Sequence, residues 1–266
     1  MTSSFKAMPS FSLALHGWDQ KFPFEELLPM FEAYFARAGA VAQYGDIEGE
    51  SPPEMKSYSF RTIKKRIQGG EYRGLSCLSL LQLTDRQDKT SENFAVTIND
   101  SYGRQQAGVL NGVSGGEEAR QIALDFLRDM LTHISPYYGY SLEMPLGHYP
   151  LMYASGVFGR TERALDEATS WQEASRDHLK GLLFKQGKFR HVFEINVLSP
   201  PHMADRIGET PFAEWVAEPG HGRLEQWKED VWVWFVPKED RIRCAKILQF
   251  NGLLTAPEGF ENELIG

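Results

Sequence analysis

Cysteine is almost missing: Cys77 and Cys244 are the two in 266 residues. Each sits in an apolar run, where a free thiol packs as a small hydrophobe. Two cysteines so far apart cannot build a structural zinc site, and nothing in their placement marks a stapled secreted scaffold. Long hydrophobic runs are missing too. None approaches the roughly 20 apolar residues of a membrane span. The opening MTSSFKAMPSFSLALHGWD lacks a basic leader, and serine interrupts its apolar run, so it is read as leading into a strand rather than as a signal peptide. A reducing, cytoplasmic location is the expectation. Basic charge is in deficit, with 28 Lys and Arg against 36 Asp and Glu and a net charge of −8. That opposes general binding to nucleic acid, which needs a basic face to displace counterions, and favours a basic protein partner.

Catalytic signatures are equally sparse. There is no His-Glu-x-x-His, no paired-cysteine motif, no phosphate loop with Gly-Lys-Ser/Thr and no dinucleotide fingerprint after a clear strand. No metal and no cofactor are expected. One motif does fit a nucleophile elbow: Gly112-Val113-Ser114-Gly115-Gly116 ahead of a helix, the basis of an alternative reading as a small serine hydrolase. The residues before it are too polar for a buried central strand, and Ser114 with Glu117 has the spacing of a helix capping box. His191 and Glu194 fall three apart in a strand-like run, which puts them on opposite faces. The basic run Arg61–Arg66 is short and reads as a solvated helix or loop face.

What the chain has is core. Hydrophobic residues make up 42% and charged residues 24%, ordinary values for a globular domain. Phe11, Leu13 and Leu15 alternate as in a strand, and Phe24, Leu27, Leu28, Phe31, Phe35 and Ala38 recur at helical spacing until Gly39. Tyr44–Glu54, polar, acidic and closed by two prolines, reads as an exposed loop. Leu75–Leu83 and Phe94–Ile98 read as antiparallel strands. Ala119–Ile134 carries the best helical stripe of the chain. Tyr149–Phe158 reads as a strand, Arg163–Phe184 as helix with a break near Ser170, and Phe189–Leu198 as a strand. Thr210-Pro211 reads as a helix start, Val231–Val236 as an inner strand, and Arg241–Asn251 as a final helix with a left-handed cap at Asn251-Gly252. The class expected is α+β, a mostly antiparallel sheet with helices packed on it, in one domain over 1–266 or divided near 160. Five tryptophans from Trp171 to Trp234 are read as core. Trp18, next to Asp19 at the end of the first strand, is a candidate interface anchor.

The last third carries a resemblance. The run Arg190–Ser199 with Phe193, Asn196 and Leu198, then Phe212–Trp215, Leu224 and Trp227, Trp232-Val233-Trp234 with Pro237, and Leu248 with Gly252-Leu253-Leu254 resemble bacterial immunity proteins of polymorphic-toxin and type VI secretion systems, closest to immunity protein family 52. The resemblance implies a non-catalytic inhibitor that binds a cognate toxin, for this family a nuclease effector, in the cytoplasm of the producing cell. An acidic surface suits such a partner, and Asp46, Glu48, Glu50 and Glu54 are the first candidates for it. The oligomeric state is left open.

Overall fold

The computed structural model describes residues 7–20, 24–51, 54–83, 92–100, 105–112, 116–154, 156, 161–174 and 183–256. The class is α+β, as the mixed order of elements predicts. Two units divide the chain. The first takes Met1–Leu13, Asp19–Ile134 and Pro145–Gly147, and the second takes Ala14–Trp18, Ser135–Met144 and His148–Gly266.

The first unit holds strands β1 (Pro9–His16, as far as Leu13), β2 (Tyr44–Ser51), β3 (Lys56–Ser59), β4 (Arg73–Leu83), β5 (Glu92–Asn99) and β6 (Gln106–Asn111). Its helices are α1 (Phe24–Arg37), α2 (Phe60–Gln68) and α3 (Gly116–Leu131). The strands run in the order β1-β6-β5-β4-β2-β3. Neighbours from β3 to β6 are antiparallel, with Ile47 opposite Leu78, Leu80 opposite Val96 and Val96 opposite Val109. Opposed residues share a face, so these apolar pairs line one side of the sheet. The helices cover that side. Phe35 of α1 meets Phe94 edge-on at 4.7 Å between ring centroids, and Tyr34 meets Phe126 of α3 at 5.2 Å. Tyr34 also donates to the Asp129 carboxylate at 2.7 Å, so the aromatic packing ends in a satisfied hydroxyl. Ile63 of α2 lies over Gly45, where any Cβ would also run into the Ser79 carbonyl. Glycine is therefore required there by close approach.

The second unit holds the end of β1 with β7 (Tyr138–Pro145), β8 (Ile195–Leu198), β11 (Arg223–Lys228) and β12 (Val231–Phe235). The order is β11-β12-β8-β7-β1, and β9 (Arg206–Ile207) and β10 (Thr210–Pro211) form a separate hairpin. Its helices are α4 (Pro150–Ala154), α5 (Glu162–Ala174), α6 (Pro200–Ala204), α7 (Phe212–Val216) and α8 (Lys238–Phe250). The core is aromatic: Tyr138, Tyr140, Trp171, Phe189, Phe212 and Trp234 are all buried, and Trp234 donates its indole N–H to the His221 carbonyl at 2.7 Å. α8 ends as expected, on Gly252 with φ of +67°. The Leu253 N–H returns to the Leu248 carbonyl and the Gly252 N–H to Gln249, a Schellman closure.

Several expectations need correction. Tyr44–Ser51 is strand β2, not a loop, because β3 and β4 supply backbone partners on both sides. Pro150–Ala154 is helical where a strand was expected. α5 runs unbroken past Ser170. Thr210-Pro211 pairs with β9 before α7 begins. Strand β8 starts only at Ile195, since the Asn196 side chain bonds the Phe193 backbone in both directions, accepting at 3.0 Å and donating at 2.7 Å. The strands β6 and β7 were not anticipated.

Candidate protein-binding face

The side of the first unit's sheet away from the helices differs in kind. In β2, Asp46 and Glu48 alternate with the inward Gly45 and Ile47. Asp46 stands opposite Ser57 of β3 and Ser79 of β4, and Glu48 opposite Cys77. Thr97 of β5 stands opposite Ser79, and Asn99 opposite Cys77. The centre of this side is thus carboxylate, hydroxyl, thiol and amide. It turns apolar only toward Leu81, Ala95 and Leu110, which share a register.

Its hydrogen bonds are local. Ser57 donates to the Asp46 carboxylate, and the hydroxyls of Ser79 and Thr97 meet at 2.6 Å. Burial pushes the Cys77 thiol up to about 12, with the Asp46 and Glu48 carboxylates adding to the shift. Such a thiol is protonated and unreactive at neutral pH. Burial, and next the Asp46 charge, raise Glu92 to about 7. Asp46 and Glu48 of β2 are the carboxylates that this part of the face presents.

The residues singled out in sequence fall as follows. Asp46 and Glu48 come together on this face. Glu50 lies in the same strand. Glu54 is exposed and pairs with Lys56 at 3.0 Å. Trp18 is 1% exposed and falls in the second unit, whereas Asp19 is exposed in the first. Ser114 of the hydrolase reading lies outside the described residues. Among the described residues no group of three or more His, Cys, Asp or Glu is placed to hold a metal ion, and no helix is long and apolar enough to cross a membrane.

Sequence reasoning missed two polar clusters, both in the second unit. Arg190 is wholly buried. Its Nε and Nη2 each donate at 2.7 Å to one oxygen of Glu167 on α5. Its Nη1 reaches the Tyr140 hydroxyl at 2.7 Å and the Tyr153 carbonyl at 3.1 Å. Tyr153 in turn donates to Glu167 at 2.6 Å. Each guanidinium nitrogen has an acceptor, and Arg190 lies inside a cage of Tyr140, Tyr153 and Trp171 rings. This is a structural ion pair. The second cluster, Ser199 with His202, looks like a nucleophile and base. Yet the Ser199 hydroxyl donates to the Tyr137 carbonyl at 2.7 Å, and His202 Nδ1 accepts from the Ser199 backbone at 3.4 Å. Both residues are buried, and together they cap α6. The Ser-x-x-His spacing was the available signal, a variant of the capping box.

No protein-family model matches the chain. No curated protein matches it by sequence. Among solved structures, one described as the Pseudomonas aeruginosa T6SS protein PA0821 is similar: 13% identical over 92% of this chain and 73% of that one, with a TM-score of 0.56. At that identity the likeness is one of fold.

Proposed function

We propose that the chain is a non-catalytic immunity protein of a type VI secretion system, which binds a cognate secreted toxin, a nuclease effector, in the cytoplasm and covers its working surface. The observation that carries the reading is the acidic sheet face built on β2, where Asp46 and Glu48 lie side by side. Nuclease surfaces are basic where they grip phosphate, and a partner of net charge −8 is drawn to such a surface. The fold shared with a T6SS protein agrees with this setting. So do the two polar clusters of the second unit, since each is bonded as a buried support.

The test is co-expression with the product of the adjacent toxin-like reading frame. Cells making both should grow, and the two proteins should elute as one stable complex on gel filtration. Ser114→Ala should protect as well as the parent. Unimpaired toxicity in the presence of the folded chain would overturn the reading.

A further inference from the structure

Asp205 follows α6 in the second unit and is half-buried, and its Oδ2 is shut off from solvent with no hydrogen-bond partner. A carboxyl oxygen so placed favours the neutral acid. The turn after the 3-10 segment Leu183–Gln186 runs against it. A Cβ at Gly187 would fall 2.6 Å from this Oδ2 and 3.0 Å from the Pro201 carbonyl oxygen. Lys188 is the next residue, so its four-carbon stem spans the gap to Asp205. Its ammonium nevertheless lies elsewhere and donates to the Gly252 carbonyl at 2.9 Å.

That carbonyl belongs to the residue on which α8 closes. The same end is fastened by the Gly208 N–H, which donates to the Asn251 side chain at 3.0 Å, and it carries Phe250, 92% exposed. One ammonium thus has two acceptors in reach, a neutral carbonyl and a carboxyl. Against a protonated acid the carbonyl is the better acceptor. An ionised carboxylate reverses the order, because a bond between two charged partners is roughly twice as strong as a neutral one. We propose that Lys188 and Asp205 form a pH-sensitive latch on the C-terminal end of α8: with Asp205 protonated Lys188 holds the Gly252 carbonyl, and with Asp205 ionised Lys188 turns to Asp205 and lets that carbonyl go.

Burial raises Asp205 from 3.8 to about 6, against the opposing pull of the Lys188 charge, so the arrangement described is that of the protonated acid. Pairing with Lys188 favours the ionised form and places the midpoint of the latch between those two values. The neighbouring ionisable groups are engaged otherwise. His202 on α6 is held neutral by burial down to about 4. Lys185 lies over the Tyr137 ring at 4.1 Å. Arg206 of β9 donates to the Glu209 carbonyl. The Glu209 and Lys246 side chains are exposed.

The test is a titration of carbon-13-labelled protein, followed by NMR from about pH 8 to about pH 3.5. The Asp205 carboxyl carbon should titrate with a midpoint between 3.8 and about 6. The Gly252 carbonyl carbon should shift with the same midpoint. Asp205→Asn and Lys188→Met should each abolish the Gly252 shift and leave the other amide signals in place. An Asp205 midpoint at or below 3.8 would mean that the ammonium rests on Asp205 throughout, and would overturn the latch. A Gly252 signal that stays still while Asp205 titrates would overturn it too, as would one that still moves in Lys188→Met. That variant keeps the test open should Asp205→Asn fail to fold.

Discussion

Arg190 shows how one residue can carry charge and still serve as core. Its guanidinium has no exposure, yet Glu167, Tyr140 and the backbone at Tyr153 accept from it. Removing one partner strands the other, so Glu167→Gln or Arg190→Met should each lower the unfolding free energy by about 3–5 kcal/mol. The double replacement Arg190→Met with Glu167→Met should cost less than the sum of the two. Urea denaturation of the three variants measures this. Buried histidines set a second expectation. Burial holds His202 down at about 4, from an ordinary 6.5. Burial, and next the Arg190 charge, hold His16 at about 3. Above pH 6.5 folded and unfolded chains both keep neutral rings, and stability is full. Below it the unfolded chain takes up protons first and stability falls. By pH 4 His202 alone withdraws about 3 kcal/mol. Denaturation midpoints from pH 7 to 4 should fall accordingly, and His16→Phe, which keeps the ring against Tyr140, should flatten part of the slope.

At the scale of elements, β2 has the tightest demands. Gly45 lies against the Ser79 carbonyl, with Ile63 Cδ1 2.8 Å from where a Cβ would sit. Gly45→Ala must push β2 from β4 or displace α2, and should cost about 2 kcal/mol or more. Hydrogen exchange of the β2 and β4 amides should quicken with it. This strand was also the hardest to read. Its sequence YGDIEGES offers one aliphatic side chain, Ile47, and two glycines, because one face is polar and on the other Gly45 meets neighbours too close for a side chain. Period-two alternation therefore vanished. Elements with a single buried stripe were legible: α1, α3 and α8 stand where their apolar spacing put them, and β4 and β5 pair as their alternation and turn predicted. Phe189–Leu198 misled in the opposite sense. It is apolar enough for a strand, but Arg190 turns into the core and the Asn196 amide ties back the Phe193 backbone. The candidate face was half legible, since acidity was visible in sequence while the strand that aligns Asp46 with Glu48 was not.

On the scale of the whole molecule, the division into units left no mark in composition. The chain changes unit at Leu13/Ala14, Trp18/Asp19, Ile134/Ser135, Met144/Pro145 and Gly147/His148, and a boundary crossed within a strand needs no linker. Net charge acts at this scale too. If the partner is a basic toxin, their association rate should fall by about tenfold or more between 0.02 and 0.5 M salt, measured by stopped flow, while dissociation changes little. A salt-independent rate would speak against a charge-steered encounter. The two thiols give the molecule one more property. Cys77 and Cys244 are buried and burial raises both to about 12, so neither offers a thiolate to maleimide dyes at neutral pH. Glu54→Cys, on the exposed shoulder of β2, would then take up a fluorophore alone, and the wild-type background would stay dark in any binding assay built on it.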